Sequence, residues 1–371
     1  MSSRWDIFCS IVDNYGDIGV CWRLARQLAN EHGLAVRLWI DHPDIAAKLI
    51  HGMNPALEIQ EISCVEIRHW TMPFPEVGIP EVVIEAFACE LPDTYLHAMQ
   101  HARPLWINLE YLSAESWVDN FHAGQSVHPQ LGLTKHFFFP GFSAASGGLL
   151  RERHLLEQRK HFQQSPARQA TFWQSLGISP QHAYTVSLFC YPHAPVDSLL
   201  TAMSQCQDAV LCIISEGPLA NRAIHWHASN NNHGNLKIVT IPFLSQAEYD
   251  QLLWACDLNL VRGEDSWIRA LWAGKPMIWQ PYRQEEDAHL GKLEAFLRRY
   301  TDNCPTALME SMTSAHHAWN QDGLEGFTAA SWQSLLAALP DWQHHAQSWT
   351  KRQAAESDLA AKLVIYCKNF F

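Results

Sequence analysis

Two acidic turns, Val12-Asp13-Asn14-Tyr15-Gly16-Asp17-Ile18-Gly19 and Val261-Arg262-Gly263-Glu264-Asp265-Ser266, carry most of the side chains able to do chemistry. In the first, Asp13 and Asp17 lie four apart around Gly16. Two carboxylates on one glycine-bearing loop can raise each other's pKa and hold a proton acceptor. The plainer alternative is structural, with Asp17 capping the next helix and Asp13 starting the turn. The turn lacks GxGxxG and its charges would repel phosphate, so it fits the acceptor side of a reaction better than a nucleotide side.

The second turn has the opposite character. Arg262 is a fixed cation, Gly263 allows close backbone approach, and Asp265-Ser266 opens a helical pattern running to Trp272. Backbone N–H groups at a helix start, with the Ser266 hydroxyl, suit a diphosphate. The alternative is a capped helix in which Arg262 pairs with Glu264.

Other candidates are single residues. Phe189 and Tyr191 close an apolar run and could stack a base, or simply belong to a core. Gln246 heads a helical pattern, where its amide could read a base edge or cap the helix. His97 and His101 share a helix face as zinc ligands can, but no third ligand or HExxH accompanies them, and a surface pair is the simpler reading. No Ser-His-Asp order, G-x-S-x-G elbow or Walker loop is present.

The elements that must position these residues follow from the apolar pattern. Strands are predicted over 4–12, 36–40, 65–70, 82–87, 105–109 and 137–139, with a helix over 18–31. A helical, charged segment over 149–180 follows, and a second alternation has strands at 184–189, 209–214, 236–241, 257–261 and 276–280. Alternating strands and helices imply α/β units with parallel sheets, which bind ligands at the carboxyl ends of their strands. Both acidic turns fall at such ends, and the two sheets are expected to face each other with these loops meeting across the gap. The expected domains are 1–160 and 170–350, with a helix over 351–367 in the terminal segment 351–371 returning to the first.

The 371 residues suit two domains, and the 47% hydrophobic content is ordinary for globular cores. A net charge of −12 argues against nucleic acid. Most of the 16 tryptophans should line cores or pocket walls. Charges interrupt every apolar run well short of a membrane span. Arg4 and Asp6 stand at the head of the first strand pattern, with no signal-peptide core. Ten cysteines without CxxC pairing, including Cys9, Cys190 and Cys212 in apolar runs, read as reduced buried thiols of a cytoplasmic protein.

The Asp13–Gly19 loop, Val83–Pro92, Trp106–Tyr111, Phe189-Cys190-Tyr191 and Val261–Ser266 together closely resemble the bacterial elongation factor P arginine rhamnosyltransferases. The resemblance spans nearly the whole chain, without departure at any of these motifs. It implies a GT-B fold and an inverting transfer of L-rhamnose from TDP-β-L-rhamnose to one arginine of elongation factor P, with no metal or other cofactor. It also implies Asp17 as general base, Asp13 as its loop partner and Glu264 as a further catalytic carboxylate. Phe189, Tyr191 and Gln246 match the thymidine pocket, and Arg262, Asp265 and Ser266 the positions around the diphosphate. Asn14, Tyr15, Gly16 and Gly263 complete the expected donor-binding set.

The chemistry suits these residue types. A guanidinium is a poor nucleophile, and carboxylates can grip its N–H groups and take a proton as the new bond forms. Alternative readings are a GT-B enzyme with another donor or a glycan or lipid acceptor, and a non-catalytic nucleotide-sugar or protein-binding module. A dinucleotide-dependent oxidoreductase is disfavoured by the missing GxGxxG. No basic or amphipathic cluster marks a membrane face.

Overall fold

The computed structural model describes residues 3–13, 15–179, 184–320 and 326–371. The chain divides into two compact units, residues 1–153 with 355–371, and residues 154–354.

The first unit is built on eight strands: β1 (Arg4–Cys9), β2 (Ala35–Ile40), β3 (Ile59–Ile62), β4 (Val65–His69), β5 (Val82–Ala86), β6 (Leu105–Leu109), β7 (Gln125–Val127) and β8 (Thr134–Phe138). Their order across the sheet is β3-β4-β2-β1-β5-β6-β8-β7. The six inner strands run parallel, and β3 and β7 are antiparallel edges on β4 and β8. The inner strands β1, β2, β5 and β6 are continuous apolar runs because both faces are covered. Neither edge strand is legible in the sequence. β3 is buried on neither face and β7 is wholly exposed, so neither carries an apolar signal.

Phe8, Trp39, Phe74, Val83, Tyr95, Met99 and Trp106 form one core of this unit. A buried charge pair crosses it: Arg37 Nε donates to Asp6 Oδ1 at 2.6 Å, and the Tyr95 hydroxyl to Asp6 Oδ2 at 2.7 Å. Such a pair is tolerable because hydrogen bonds satisfy both partners.

The second unit has five parallel strands, β9 (Tyr184–Leu188), β10 (Val210–Ser215), β11 (Leu236–Ile241), β12 (Leu258–Arg262) and β13 (Met277–Gln280), in the order β11-β10-β9-β12-β13. In both sheets the order reverses beside the unit's first strand, between β1 and β5 and between β9 and β12. The loops leaving those strands flank the crevice where doubly wound sheets take their ligands. Asp13 and Asp17 follow β1, Phe189 and Tyr191 follow β9, and Gly263 to Ser266 follow β12.

The helix expected over 351–367 is two pieces, Ala329–Gln353 and Leu359–Lys368. The second restarts at Asp358, whose side chain accepts the Ala361 N–H at 3.0 Å as an N-cap. Asp358 also accepts from Gln27, and Lys362 Nζ donates to the Ala144 and Ser146 carbonyls at 2.9 and 2.8 Å, tying this last helix into the first unit.

Candidate active site

The turn after β1 is closed by the Gly16 N–H on the Asp13 carbonyl at 2.8 Å. A Cβ on residue 16 would sit 2.7 Å from Asp13 Oδ2, so any other residue here would push the Asp13 carboxylate aside. The helix Tyr15–His32 begins three residues before its expected start. Asp17 is therefore inside the first turn and is not the N-cap. Its carboxylate reaches back instead, Oδ2 accepting the N–H groups of Val12 and Asp13, both at 2.8 Å. Oδ1 accepts the Tyr111 hydroxyl at 3.2 Å.

Asp17 is 2% exposed, and burial raises its proton affinity above the ordinary carboxylate range. The Asp13 and Val12 N–H groups and the Tyr111 hydroxyl oppose that rise, while the charge of Asp41 adds to it. The Asp13 backbone N–H stabilises the ionised form of Asp17, and the charge of Asp41 raises its proton affinity. Asp41 is itself held at the end of β2 by the Ser10 hydroxyl at 2.6 Å and the Ile11 N–H at 3.0 Å. Asn14 lies outside the described residues, and Tyr15 and Gly16 are half-buried in the helix's first turn.

Neither Tyr111, named only as the end of the Trp106–Tyr111 motif, nor Asp41 was given a role from the sequence. The available signal was position, since each follows a parallel strand on the ligand edge of the sheet. Phe87, after β5, stacks on Tyr111 with ring centres 4.2 Å apart and 12° between planes. Phe87, Ala88 and Glu90 all have left-handed backbone, φ 58°, 53° and 52°. Non-glycine residues rarely adopt that region, and such clusters gather at functional loops.

In the second unit, the end of β12 packs on the end of β9. The Arg262 guanidinium carbon lies 4.5 Å from the ring centres of both Phe189 and Tyr191, and Nη1 donates to the Cys190 carbonyl at 3.3 Å. The cation is held by the electron-rich faces of the two rings. The Tyr191 N–H is fixed by Gln280 Oε1 at 2.8 Å. Gly263, at φ 62°, donates its N–H to the Gln280 carbonyl at 3.0 Å and accepts from Trp279 Nε1 at 2.7 Å. Ser266 turns its hydroxyl back on its own loop, accepting the Arg262 N–H at 3.1 Å and donating to the Arg262 carbonyl.

The helix Asp265–Ala273 starts at this loop with Glu264 as its N-cap residue, which makes no side-chain cap. Its far end is tied down by Thr350 on the Leu271 carbonyl (2.8 Å), Arg159 on Trp272 (2.7 Å), Gln163 on Ala273 (3.2 Å) and Gln343 on Gly274 (2.6 Å). These contacts satisfy the carbonyls a helix normally leaves open and fix the direction of its positive end. A buried pair, Arg269 Nε to Asp250 Oδ1 at 2.8 Å, locks it to the helix Gln246–Ala255. That second helix is capped by Ser245 and Glu248, so Gln246 is not the cap. Gln246 is buried at its head, and Tyr249 one turn on meets the Phe189 ring edge-on at 6.0 Å.

The candidates thus gather in two sets. Asp13, Tyr15, Gly16 and Asp17 stand on the first unit, and Phe189, Tyr191, Gln246, Arg262, Gly263, Glu264, Asp265 and Ser266 on the second. His97 is exposed with Nδ1 against the Asp93 carbonyl at 2.7 Å. Among the described residues no three His, Cys, Asp or Glu gather as metal ligands, and no helix is long and apolar enough to cross a membrane.

Comparison with known proteins bears on this arrangement directly. A family model for "Elongation-Factor P (EF-P) rhamnosyltransferase EarP" matches residues 5–368. A protein-arginine rhamnosyltransferase of Pseudomonas aeruginosa is 47% identical over 372 residues, 98% of each chain. Its counterpart in Pseudomonas putida is 44% identical over 380 residues, the whole of both. A solved structure described as "Structural basis for EarP-mediated arginine glycosylation of translation elongation factor EF-P" matches all of both chains at 33% identity with a TM-score of 0.70. Spinosyn rhamnosyltransferase SpnG, at 13% identity and TM-score 0.52 over 98% of this chain and 99% of its own, shares the fold. The two doubly wound units are accordingly those of a GT-B glycosyltransferase. By a match that runs nearly end to end, the chain belongs to the elongation factor P rhamnosyltransferase (EarP) family, enzymes whose curated members are protein-arginine rhamnosyltransferases.

Proposed function

We propose that this enzyme transfers L-rhamnose from TDP-β-L-rhamnose to one arginine of elongation factor P in the cytoplasm, with inversion and without a metal. The observation that carries the acceptor half is Asp17, a buried carboxylate whose proton affinity burial raises, which suits a general base. As a guanidinium nitrogen bonds to the anomeric carbon, its proton passes to Asp17. The bond from that carbon to the diphosphate oxygen breaks on the opposite face, and the electron pair leaves with the diphosphate. Asp13 closes the turn that orients Asp17, and Glu264 is the second carboxylate needed for transfer.

The donor half is carried by the loop after β12. Arg262 and the tied-down helix start at Asp265–Ser266 stabilise the negative charge gathering on the departing diphosphate, so no metal is called for. Gly263 lets the phosphates approach the backbone. Phe189, Tyr191 and Gln246 hold the thymidine, while Asn14, Tyr15 and Gly16 contribute donor contacts from the first unit.

Intact mass spectrometry of elongation factor P, incubated with this enzyme and TDP-β-L-rhamnose in excess chelator, tests the reading. The expected product carries one deoxyhexose on one arginine. An unmodified acceptor in the absence of chelator would sink the assignment, and loss of activity on chelation alone would sink the metal-free mechanism.

A further inference from the structure

Asp17 is boxed in by donors. An ionised carboxylate offers about four lone-pair positions. Val12 and Asp13 fill the two on Oδ2, and Tyr111 fills one on Oδ1, so among the described residues one position remains. The two backbone donors come from Asp17's own turn, and any residue other than proline at 12 and 13 would supply them. Tyr111 is a different kind of partner, because it arrives from 94 residues away at the end of β6.

Its ring is not free to wander. Phe87 lies flat against it at 4.2 Å, and Phe87 is held in left-handed backbone with its N–H on the Leu109 carbonyl at 2.7 Å. Two residues before Tyr111 in sequence, Leu109 thus ties the loops after β5 and β6 together. Tyr111 is 38% exposed, so this braced phenol stands where the buried carboxylate meets solvent.

We propose that Tyr111, braced by Phe87, is a positioning residue for glycosyl transfer: its hydroxyl occupies one lone pair of Asp17 Oδ1, so that among the described residues one position there is left for the acceptor N–H. The proposal rests on Asp17 being the proton acceptor, as argued above. Tyr111 acts through Asp17, fixing which lone pair is open and favouring the ionised form. The other groups facing Asp17 are Asp41 and Asp13, with the Cys9 thiol, which its Cys21 hydrogen bond and burial keep neutral. Asp41 pushes the proton affinity of Asp17 up, and Tyr111 holds it down.

The test is the pH dependence of kcat for transfer to elongation factor P, read by intact mass, for the wild type and Tyr111→Phe, with donor affinity measured by calorimetry. Phenylalanine keeps the stack on Phe87 and removes only the hydroxyl. The expected result is an acid limb moved to higher pH by about one unit, with donor affinity unchanged. Phe87→Leu, which loosens the brace, should move the limb in the same direction by less. An unmoved limb in Tyr111→Phe, with or without a lowered melting temperature, would overturn the proposal. So would loss of transfer at every pH, since a group acting through Asp17 displaces the limb and does not erase the reaction. A wild type that modifies no acceptor would count against the proposed function itself.

Discussion

Ser266 closes a ring with Arg262: its hydroxyl accepts the Arg262 N–H at 3.1 Å and donates to the Arg262 carbonyl. The last residue of β12 is thereby pinned at both backbone groups while its guanidinium lies on Phe189 and Tyr191. This hydroxyl, expected at a diphosphate position, clasps the loop that presents the helix start. Ser266→Ala removes both bonds and loosens that loop. Titration calorimetry with TDP should show affinity weakened roughly tenfold, about 1.4 kcal/mol. An unchanged dissociation constant would mean the loop does not hold the donor.

Asp17→Asn tests the acceptor half separately. The amide oxygen can still accept the Val12 and Asp13 N–H groups, so the turn should persist. Transfer should fall by about a thousandfold or more, in the range expected for losing a general base, while donor affinity stays within about twofold. Lost donor binding would give Asp17 the wrong role. Because burial raises its proton affinity and the base must be ionised, wild-type activity should climb with pH through a limb lying above the ordinary carboxylate range.

The Asp250–Arg269 pair joins two helices of the second unit, with side chains 8% and 2% exposed. Arg269→Met leaves a buried carboxylate without its cation, at a cost of about 3–5 kcal/mol. Urea unfolding should reveal that loss. The double variant Asp250→Leu with Arg269→Met should recover much of it, and failure to recover would mean the pair does more than neutralise itself.

His316 predicts acid instability in the second unit. It is fully buried with Nδ1 on the Met312 carbonyl at 2.8 Å, and burial pushes its pKa down to about 4 from 6.5. The unfolded chain therefore binds this proton first. Stability from neutral His316 is complete above pH 6.5 and is lost progressively as pH falls from 6.5 toward 4, by about 3 kcal/mol in all. His345, in the same unit, is displaced the same way and adds to the slope, while His122 and His136, also displaced downward, belong to the first unit. Unfolding free energies measured between pH 7.5 and 4 should fall less steeply in His316→Gln, and an identical slope would dismiss His316 as a contributor.

The alternation of apolar runs with helical patterns located the inner strands β1, β2, β4, β5 and β6, while β8 runs over Thr134–Phe138 where 137–139 was expected. A strand buried on both faces must be written in apolar residues, so its position is local information. Motif spacing likewise pointed to Asp13, Asp17 and the Arg262–Ser266 turn as candidates, which lie after β1 and β12. Contacts between distant segments were decided only in three dimensions. They include Tyr111 on Asp17, Asp41 as the neighbouring charge that lifts Asp17, Arg262 between two rings, and the four side chains that seat the helix Asp265–Ala273. Proton affinity depends on burial and on neighbours brought together by the sheet, and neither is encoded within the turn that carries the carboxylate. Edge strands β3 and β7 escaped notice for a related reason: exposed backbone pairing needs a partner strand, not an apolar side chain.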